Sequence, residues 1–266
     1  GKYMIDVKRF YRNQLSEAEK FIYDALERNR QKIIENEPVM ICQIDKNAET
    51  EEIYEVIDAS LVRIITAYQL DNPLASVYLD IDRYCINLEG EKSDILMLYP
   101  NRATGGTYSN FKNVKEMINE IELVSNEFIK KIRTTKDKTN AIYDWIVQNK
   151  IYSYKAINKN NMVGCLIGKK CNCVGYTHTF KYMADKAGIS AISVIGIADK
   201  NECIYQYTED EAIEIGLGHA WNNVMYNGRW NLVDTALHIK PMYLIYAMNT
   251  HRPFDLFNTL ELEEII

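Results

Sequence analysis

Three residues of this chain have the types and surroundings for nucleophilic chemistry: Cys173, His219 and Asp234. A cysteine attacks as its thiolate, and a thiolate is favoured where unpaired backbone N–H groups and a helix dipole point at it. Asn172 is a good N-cap, and Phe180, Met183, Ala184 and Ala187 are spaced to bury one helix face, with Gly188 as a natural stop. Cys173 therefore falls in the first turn of a predicted helix, where the same N–H groups can stabilise an oxyanion. The plainer alternative is that Cys173 is a small buried hydrophobe, the commonest fate of a free cysteine, and this segment alone does not choose between the two. Cys165 and Cys171 are rival nucleophiles, but they precede the helix and lack its dipole.

A base must come from the four histidines. His178 lies five residues beyond Cys173 on the same predicted helix, about 140° round its axis, and so points away from the thiol. His251 sits in Thr250-His251-Arg252-Pro253, which has the composition of a loop-like tail. His219 lies in the predicted strand Gly218 to Tyr226, and Asn227-Gly228 is a strong signal for a two-residue type I′ hairpin turn into Arg229 to Thr235. If Tyr226 pairs with Arg229, Trp221 faces Asp234, and His219 and Asp234 become diagonal neighbours on one face, about 7–8 Å apart at the backbone. A carboxylate there can fix the imidazole tautomer and leave the other ring nitrogen for a thiol. His238 would share that face but lies about 13 Å of strand rise beyond Asp234, which leaves it a weak second base.

The elements that must position these residues follow from periodicity. Ser16-x-x-Glu19 is a capping box, followed by a helix expected to run to about Ile34, where Pro38 stops it and Val39 to Ile44 forms a short strand. A second helix is expected over 51–68, with Ile53, Ile57, Leu61, Ile64 and Ile65 inward and Asp71-Asn72-Pro73 at its end. Two strands are expected over 77–88 and 94–99, then a loop over 101–110. The spacing of Val114, Met117, Ile118, Ile121, Val124, Phe128 and Ile132 predicts a long amphipathic helix, and a further helix is expected over 136–149 with Ala141, Ile142, Trp145 and Ile146 inward. The fold class is thus α+β, with residues 1–110 an accessory region and residues 111–266 the domain that holds the chemistry.

Composition excludes several other classes. The chain has 266 residues, 47% of them apolar and 26% charged, with a net charge of −6. Lys and Arg are scattered, so no basic stripe invites nucleic acid, and no apolar run approaches the ~18 residues of a membrane span. The six cysteines do not form a disulfide framework in a chain of this length, and Cys171-x-Cys173 lacks the partners of a structural zinc site, so no cofactor or metal is implied. The compartment stays open between cytoplasm and export: no signal peptide is visible, but Gly1 has the look of an expression scar from which one could have been removed. Nineteen tyrosines are chiefly amphipathic filling of core and surface.

In order, the chain shows Cys171-Asn172-Cys173-Val174-Gly175-Tyr176, then Ala187-Gly188-Ile189, Gly218-His219-Ala220-Trp221-Asn222, and Gly228 to Thr235 ending in Val-Asp-x-Thr. With Trp145 and Ile151-Tyr152-Ser153-Tyr154 upstream, this pattern resembles the transglutaminase-like superfamily over residues 111 to 240, in the form of its bacterial cysteine enzymes. The resemblance implies a papain-like core, a nucleophile helix packed on an antiparallel sheet carrying His and Asp. It also implies chemistry on amides through a thioester, with Cys173, His219 and Asp234 as triad. Cys171 replaces the small residue usual two before the nucleophile, and Ala236 and Leu237 replace the aromatic and acidic residues that often follow the last motif. A second oxyanion donor is open among Tyr152, Tyr154, Asn158, Asn160 and Asn161. Trp221 either shields the site or packs in the core, and the acidic run Glu209-Asp210-Glu211 with Glu214 reads as a solvated loop rather than a calcium site. The function expected is a cysteine hydrolase or peptidase on a peptide or peptidoglycan-like amide. The alternatives are transfer of glutamine to an amine, or a binding module without turnover.

Overall fold

The structure, a computed structural model, describes residues 5–44, 50–80, 84–90, 94–100, 114–202 and 204–265. The chain divides into two compact units, Tyr11–Asn119 and Gly1–Phe10 with Glu120–Ile266. Its class is α+β: the described residues form helices, two antiparallel sheets and one short parallel strand pair.

In the Tyr11–Asn119 unit, helix α1 (Glu17–Arg28) begins at the expected capping box: the Glu19 N–H donates to Ser16 Oγ and the Ser16 N–H donates to Glu19 Oε1. The single helix expected to reach Ile34 is interrupted at Asn29, whose side chain donates to the Ala25 carbonyl at 2.8 Å. A short α2 (Arg30–Ile34) then resumes. An asparagine offers the backbone an alternative partner in this way, which apolar spacing alone does not register. Strand β1 (Val39–Ile44) is followed by α3 (Thr50–Asp71), with Leu61, Ile64 and Ile65 buried; the side chains of Ile53 and Ile57 lie outside the described residues. Asp71 at the end of α3 accepts from the Tyr11 and Arg12 N–H groups and from the Tyr23 hydroxyl. The strand expected from Val77 begins later, because Ala75–Tyr78 is a buried helical turn, α4, with Ser76 Oγ donating to the Pro73 carbonyl. Strands β2 (Cys85–Glu89) and β3 (Asp94–Tyr99) complete an antiparallel sheet of order β1-β3-β2. The expected loop over 101–110 lies outside the described residues.

Helix α5 (Val114–Ile132) contains the boundary between the units. In the second unit it is followed by α6 (Lys138–Gln148), capped by Asp137, whose carboxylate accepts from the Asn140 N–H. Trp145 of α6 stacks on Phe128 at 4.3 Å between ring centroids. Then come β4 (Ile151–Tyr152), α7 (Met162–Leu166), β5 (Lys170–Cys171), α8 (Cys173–Lys186), β6 (Ala191–Ala198) and α9 (Glu209–Glu214). The chain continues through β7 (Gly218–Tyr226), β8 (Arg229–Asp234), β9 (Ile239–Tyr243), α10 (Leu244–Ala247), β10 (His251–Pro253) and α11 (Leu262–Ile265).

The five-stranded antiparallel sheet of this unit has the order β10-β6-β7-β8-β9. Alternation along β7 sends Asn222 to one face, where its amide donates to the Thr177 carbonyl of α8 at 3.1 Å. Trp221 goes to the other face and packs with Ile192, Val194, Trp230, Leu232 and Leu244. The hairpin has the expected register, Tyr226 opposite Arg229, and Asn227 and Gly228 both have positive φ (52° and 80°), as a type I′ turn requires.

The edge strand β10 lies close on β6 because position 196 has no side chain. A Cβ on Gly196 would meet the Arg252 carbonyl oxygen at 2.2 Å and the Trp221 ring at 2.7 Å. Gly196→Ala is therefore expected to cost about 1–3 kcal/mol through overpacking. Urea unfolding measures this, and an unchanged midpoint would contradict so close a fit.

Candidate active site

The segment before α8 is tied down by backbone bonds. The Ile151 N–H donates to the Lys169 carbonyl, Ser153 N–H to Cys171 and Asn172 N–H to Lys159, at 2.8–2.9 Å. Asn172 caps α8, its Oδ1 accepting from the Val174 and Gly175 N–H groups, while its amide donates to Asn160. Gly175 must be glycine for this packing, since a Cβ there would meet the Cys171 Cβ at 2.7 Å and the Lys159 carbonyl at 2.8 Å. Cys173 is thereby fixed as the first residue of α8, 8% exposed. The His219 imidazole, the Tyr152 hydroxyl and the Ala220 N–H lie beside its sulfur and act on its charge.

His219 and Asp234 meet across the diagonal of the β7–β8 hairpin, with His219 Nε2 2.8 Å from Asp234 Oδ2. Asp234 has no solvent exposure, and its Oδ1 accepts from the Leu237 N–H at 3.0 Å. An ionised carboxylate can only accept, so Nε2–H of His219 donates to it and Nδ1 is left toward Cys173. A second imidazole joins the same oxygen: His251 Nε2 lies 2.9 Å from Asp234 Oδ2. Sequence reasoning placed His251 in a tail. It is instead buried on β10, where Trp221 meets its ring edge-on at 4.9 Å. The one available signal was Pro253, a residue tolerated on edge strands, and β10 is an edge strand of three residues.

The electrostatics follow from these contacts. Burial opposes the charge on Asp234, but the bonds from His219, His251 and the Leu237 N–H outweigh it and lower its pKa to about 2. Burial likewise opposes charging of His219, yet Asp234 and Cys173 together raise its pKa to about 9. For Cys173, burial pushes the thiol up while His219, Tyr152 and the Ala220 N–H pull it down, with a net lowering. Burial keeps Tyr152 a neutral phenol, able to donate to the sulfur. The shifts at Asp234, His219 and Cys173 favour a thiolate–imidazolium pair backed by a carboxylate.

The other candidates fall elsewhere. His178 is buried in α8, and burial lowers its pKa to about 4. His238 is exposed with φ 57°, because the strand turns after Asp234 and does not continue to it. Cys171 and Cys165 are fully buried against each other, and burial raises the Cys171 thiol. Of the oxyanion candidates, Tyr152 touches the sulfur. Tyr154 packs edge-on against Tyr152, Asn161 caps α7 and Asn160 holds Asn172. Asn158 is buried, its backbone carbonyl accepting from the Asn161 N–H. The acidic run forms the first turn of α9, where Thr208 and Glu211 make a capping box, so it is a helix start and not a loop. Trp221 belongs to the core and also stacks by His219. Among the described residues, His219, Asp234 and His251 could together hold a metal ion, their ligand atoms lying within 4.8 Å of one another.

Residues 123–235, which include Cys173, His219 and Asp234, match the family model of the Transglutaminase-like superfamily. The chain is similar to the kyphoscoliosis peptidase of Mus musculus, with 29% identity over 128 residues, 46% of this chain and 18% of that protein. It is also similar to the kyphoscoliosis peptidase of Homo sapiens, with 29% identity over 120 residues, 43% of this chain and 17% of that protein. It thus spans less than a fifth of the length of these curated relatives. A crystal structure of a TGase aligns with 59% of this chain and 46% of its own, at 15% identity and a TM-score of 0.37.

The lowered pKa of Asp234 has a consequence for stability. A carboxyl whose folded pKa lies below its unfolded value near 3.9 stabilises the fold above that value, and the contribution is lost as pH falls through about 2. Wild type is expected to lose about 2 kcal/mol relative to Asp234→Asn between pH ~5 and pH ~2. Parallel urea titrations at the two pH values measure it; identical pH dependence in both proteins would contradict it.

Proposed function

Because residues 123–235 belong to the Transglutaminase-like superfamily, we propose that this protein is a cysteine hydrolase acting on peptide or protein amides. Cys173 is the nucleophile, His219 the acid and base, and Asp234 the orienting carboxylate. The observation that carries the reading is the position of the Cys173 sulfur, at the N-terminus of α8 and in contact with an imidazole whose far nitrogen is bonded to a buried carboxylate.

The steps follow from those positions. The Cys173 thiolate adds to the amide carbon, and the carbonyl electron pair moves onto oxygen. The Cys173 N–H, which at the first helical position has no intrahelical acceptor, and the Tyr152 hydroxyl are the donors available to that oxyanion. The tetrahedral adduct collapses by breaking the C–N bond, and the leaving nitrogen takes the proton from His219 Nδ1. The acyl group then sits on Sγ as a thioester. His219, now neutral, takes a proton from water as the oxygen attacks, and the acid is released with the thiolate restored. Asp234 accepts one hydrogen bond from Nε2 throughout and stabilises the imidazolium form without taking its proton.

Water as the acceptor is supported by the relatives, which are named peptidases. Incubation with a peptide library and a primary amine, read by mass spectrometry, tests the reading. Cleaved peptides are expected. Loss of ammonia with gain of the amine would make the protein a transferase instead, and no change in any peptide would count against turnover. Cys173→Ala is expected to abolish both product and acyl-enzyme with the fold intact. Asp234→Asn is expected to lower kcat by about 10²–10⁴ through the wrong tautomer.

A further inference from the structure

The carboxylate that orients His219 is itself oriented, and the residue that does so comes from a different strand. Asp234 Oδ1 is held by the Leu237 N–H, and Oδ2 is shared by Nε2 of His219 at 2.8 Å and Nε2 of His251 at 2.9 Å. His251 is in turn fixed on its other side. Its Nδ1 lies 2.9 Å from Thr250 Oγ1. Thr250 Oγ1 also lies 3.2 Å from the Ala247 carbonyl, so its one hydroxyl proton is shared between that oxygen and Nδ1. The ionised Asp234 carboxylate can only accept, so the His251 ring carries on Nε2 the proton that Asp234 receives. The ring plane is set by Trp221, and the backbone by the pairing of His251 with Ala198 on β6. The titratable groups facing Asp234 are His219 from β7, His251 from β10 and, by its field, Tyr143 from α6.

We propose that His251 is a positioning residue that locks the Asp234 carboxylate in the rotamer that holds His219 against Cys173. With only the Leu237 and His219 donors, the carboxylate could turn about its Cβ–Cγ bond and leave Nε2 of His219 facing an off-line oxygen. The His251 donor makes that rotation cost a buried hydrogen bond to a charge, so one orientation is kept. His251 is not one of the groups that act on the Cys173 sulfur; it acts through Asp234. This inference rests on the reading of Cys173, His219 and Asp234 as nucleophile, base and orienter.

The test follows alkylation of Cys173 by iodoacetamide across pH, read on the Cys173 peptide by mass spectrometry, so no substrate is needed. Wild type is expected to react well below the pH of an ordinary thiol. His251→Leu, similar in bulk but without a donor, is expected to react about tenfold more slowly near pH ~6, with its rate rising only toward the range of a free cysteine. His251→Gln, which presents an N–H at a similar reach, should stay within about threefold of wild type. A merely structural role would lower the unfolding midpoint and the reactive fraction but would leave the pH profile of the folded protein in place. If His251→Leu keeps the wild-type profile, or if the folded glutamine variant loses as much as the leucine variant, the inference is overturned. If wild type itself reacts no faster than an ordinary thiol, the underlying catalytic reading fails and takes the inference with it. Nitrogen NMR of the unsubstituted protein gives a check independent of any variant. His251 should be the Nε2–H tautomer, and an Nδ1–H tautomer would overturn the proposal.

Discussion

A carboxylate with no solvent exposure persists in a fold only where donors surround it, and Asp234 is such a group. Its three donors come from three places: His219 on β7, His251 on β10, and the Leu237 N–H in the turn that ends β8. Each donor depends on a separate feature of the fold. The Asn227-Gly228 turn sets the β7–β8 register, the bare Cα of Gly196 lets β10 approach, and the change of direction after Asp234 aims the Leu237 N–H back at it. If Asp234 were not charged and held, His219 would have no reason to be an imidazolium, and the Cys173 thiol would lack its counter-charge. The polar centre of the site therefore depends on a hydrogen-bonding requirement at one buried side chain.

The second contributor is the N-terminus of α8. Asn172 closes the helix start, and β4–β5 pairing with the Asn172–Lys159 bond holds the approach to it. These constraints leave little freedom at Cys173, whose sulfur meets an imidazole, a phenol and a backbone N–H at once. Burial opposes a charge on that sulfur, and these neighbours act against the burial, so that its pKa is lowered on balance. The apolar side of the sheet, built on Trp221, Trp230 and Leu232, gives the strands a firm base on the face away from α8. The polar end of the sheet is thus held by hydrogen bonds and the remainder by packing.

Much of this was legible in the sequence where the signal is local. The α8 start follows from Asn172 and the apolar spacing behind it. The proximity of His219 and Asp234 follows from a two-residue turn whose type demands positive φ at Asn227 and Gly228. The capping box at Ser16 and the strand after Pro38 are equally short-range. What escaped was set by longer-range contact. Asn29 breaks a helix whose apolar pattern runs through it, because a side-chain bond to the Ala25 carbonyl competes with the ladder. Val77 has strand composition but sits in a buried helical turn closed by Ser76. His251 is the most instructive case. Three residues of edge strand carry no periodicity, and their pairing with β6 depends on a glycine more than fifty positions earlier in the chain.

The central claim is that Cys173 and His219 share a charge pair at neutral pH. The most direct measurement is the ultraviolet absorbance of the thiolate, taken as the difference between wild type and Cys173→Ala across a pH titration. Such a pair predicts a thiolate signal fully developed well below the pKa of ~8.5 of a free cysteine, and lost in Asp234→Asn together with the imidazolium. A difference signal that appears only near the ordinary thiol range, and is the same with and without the Asp234 carboxylate, would contradict it.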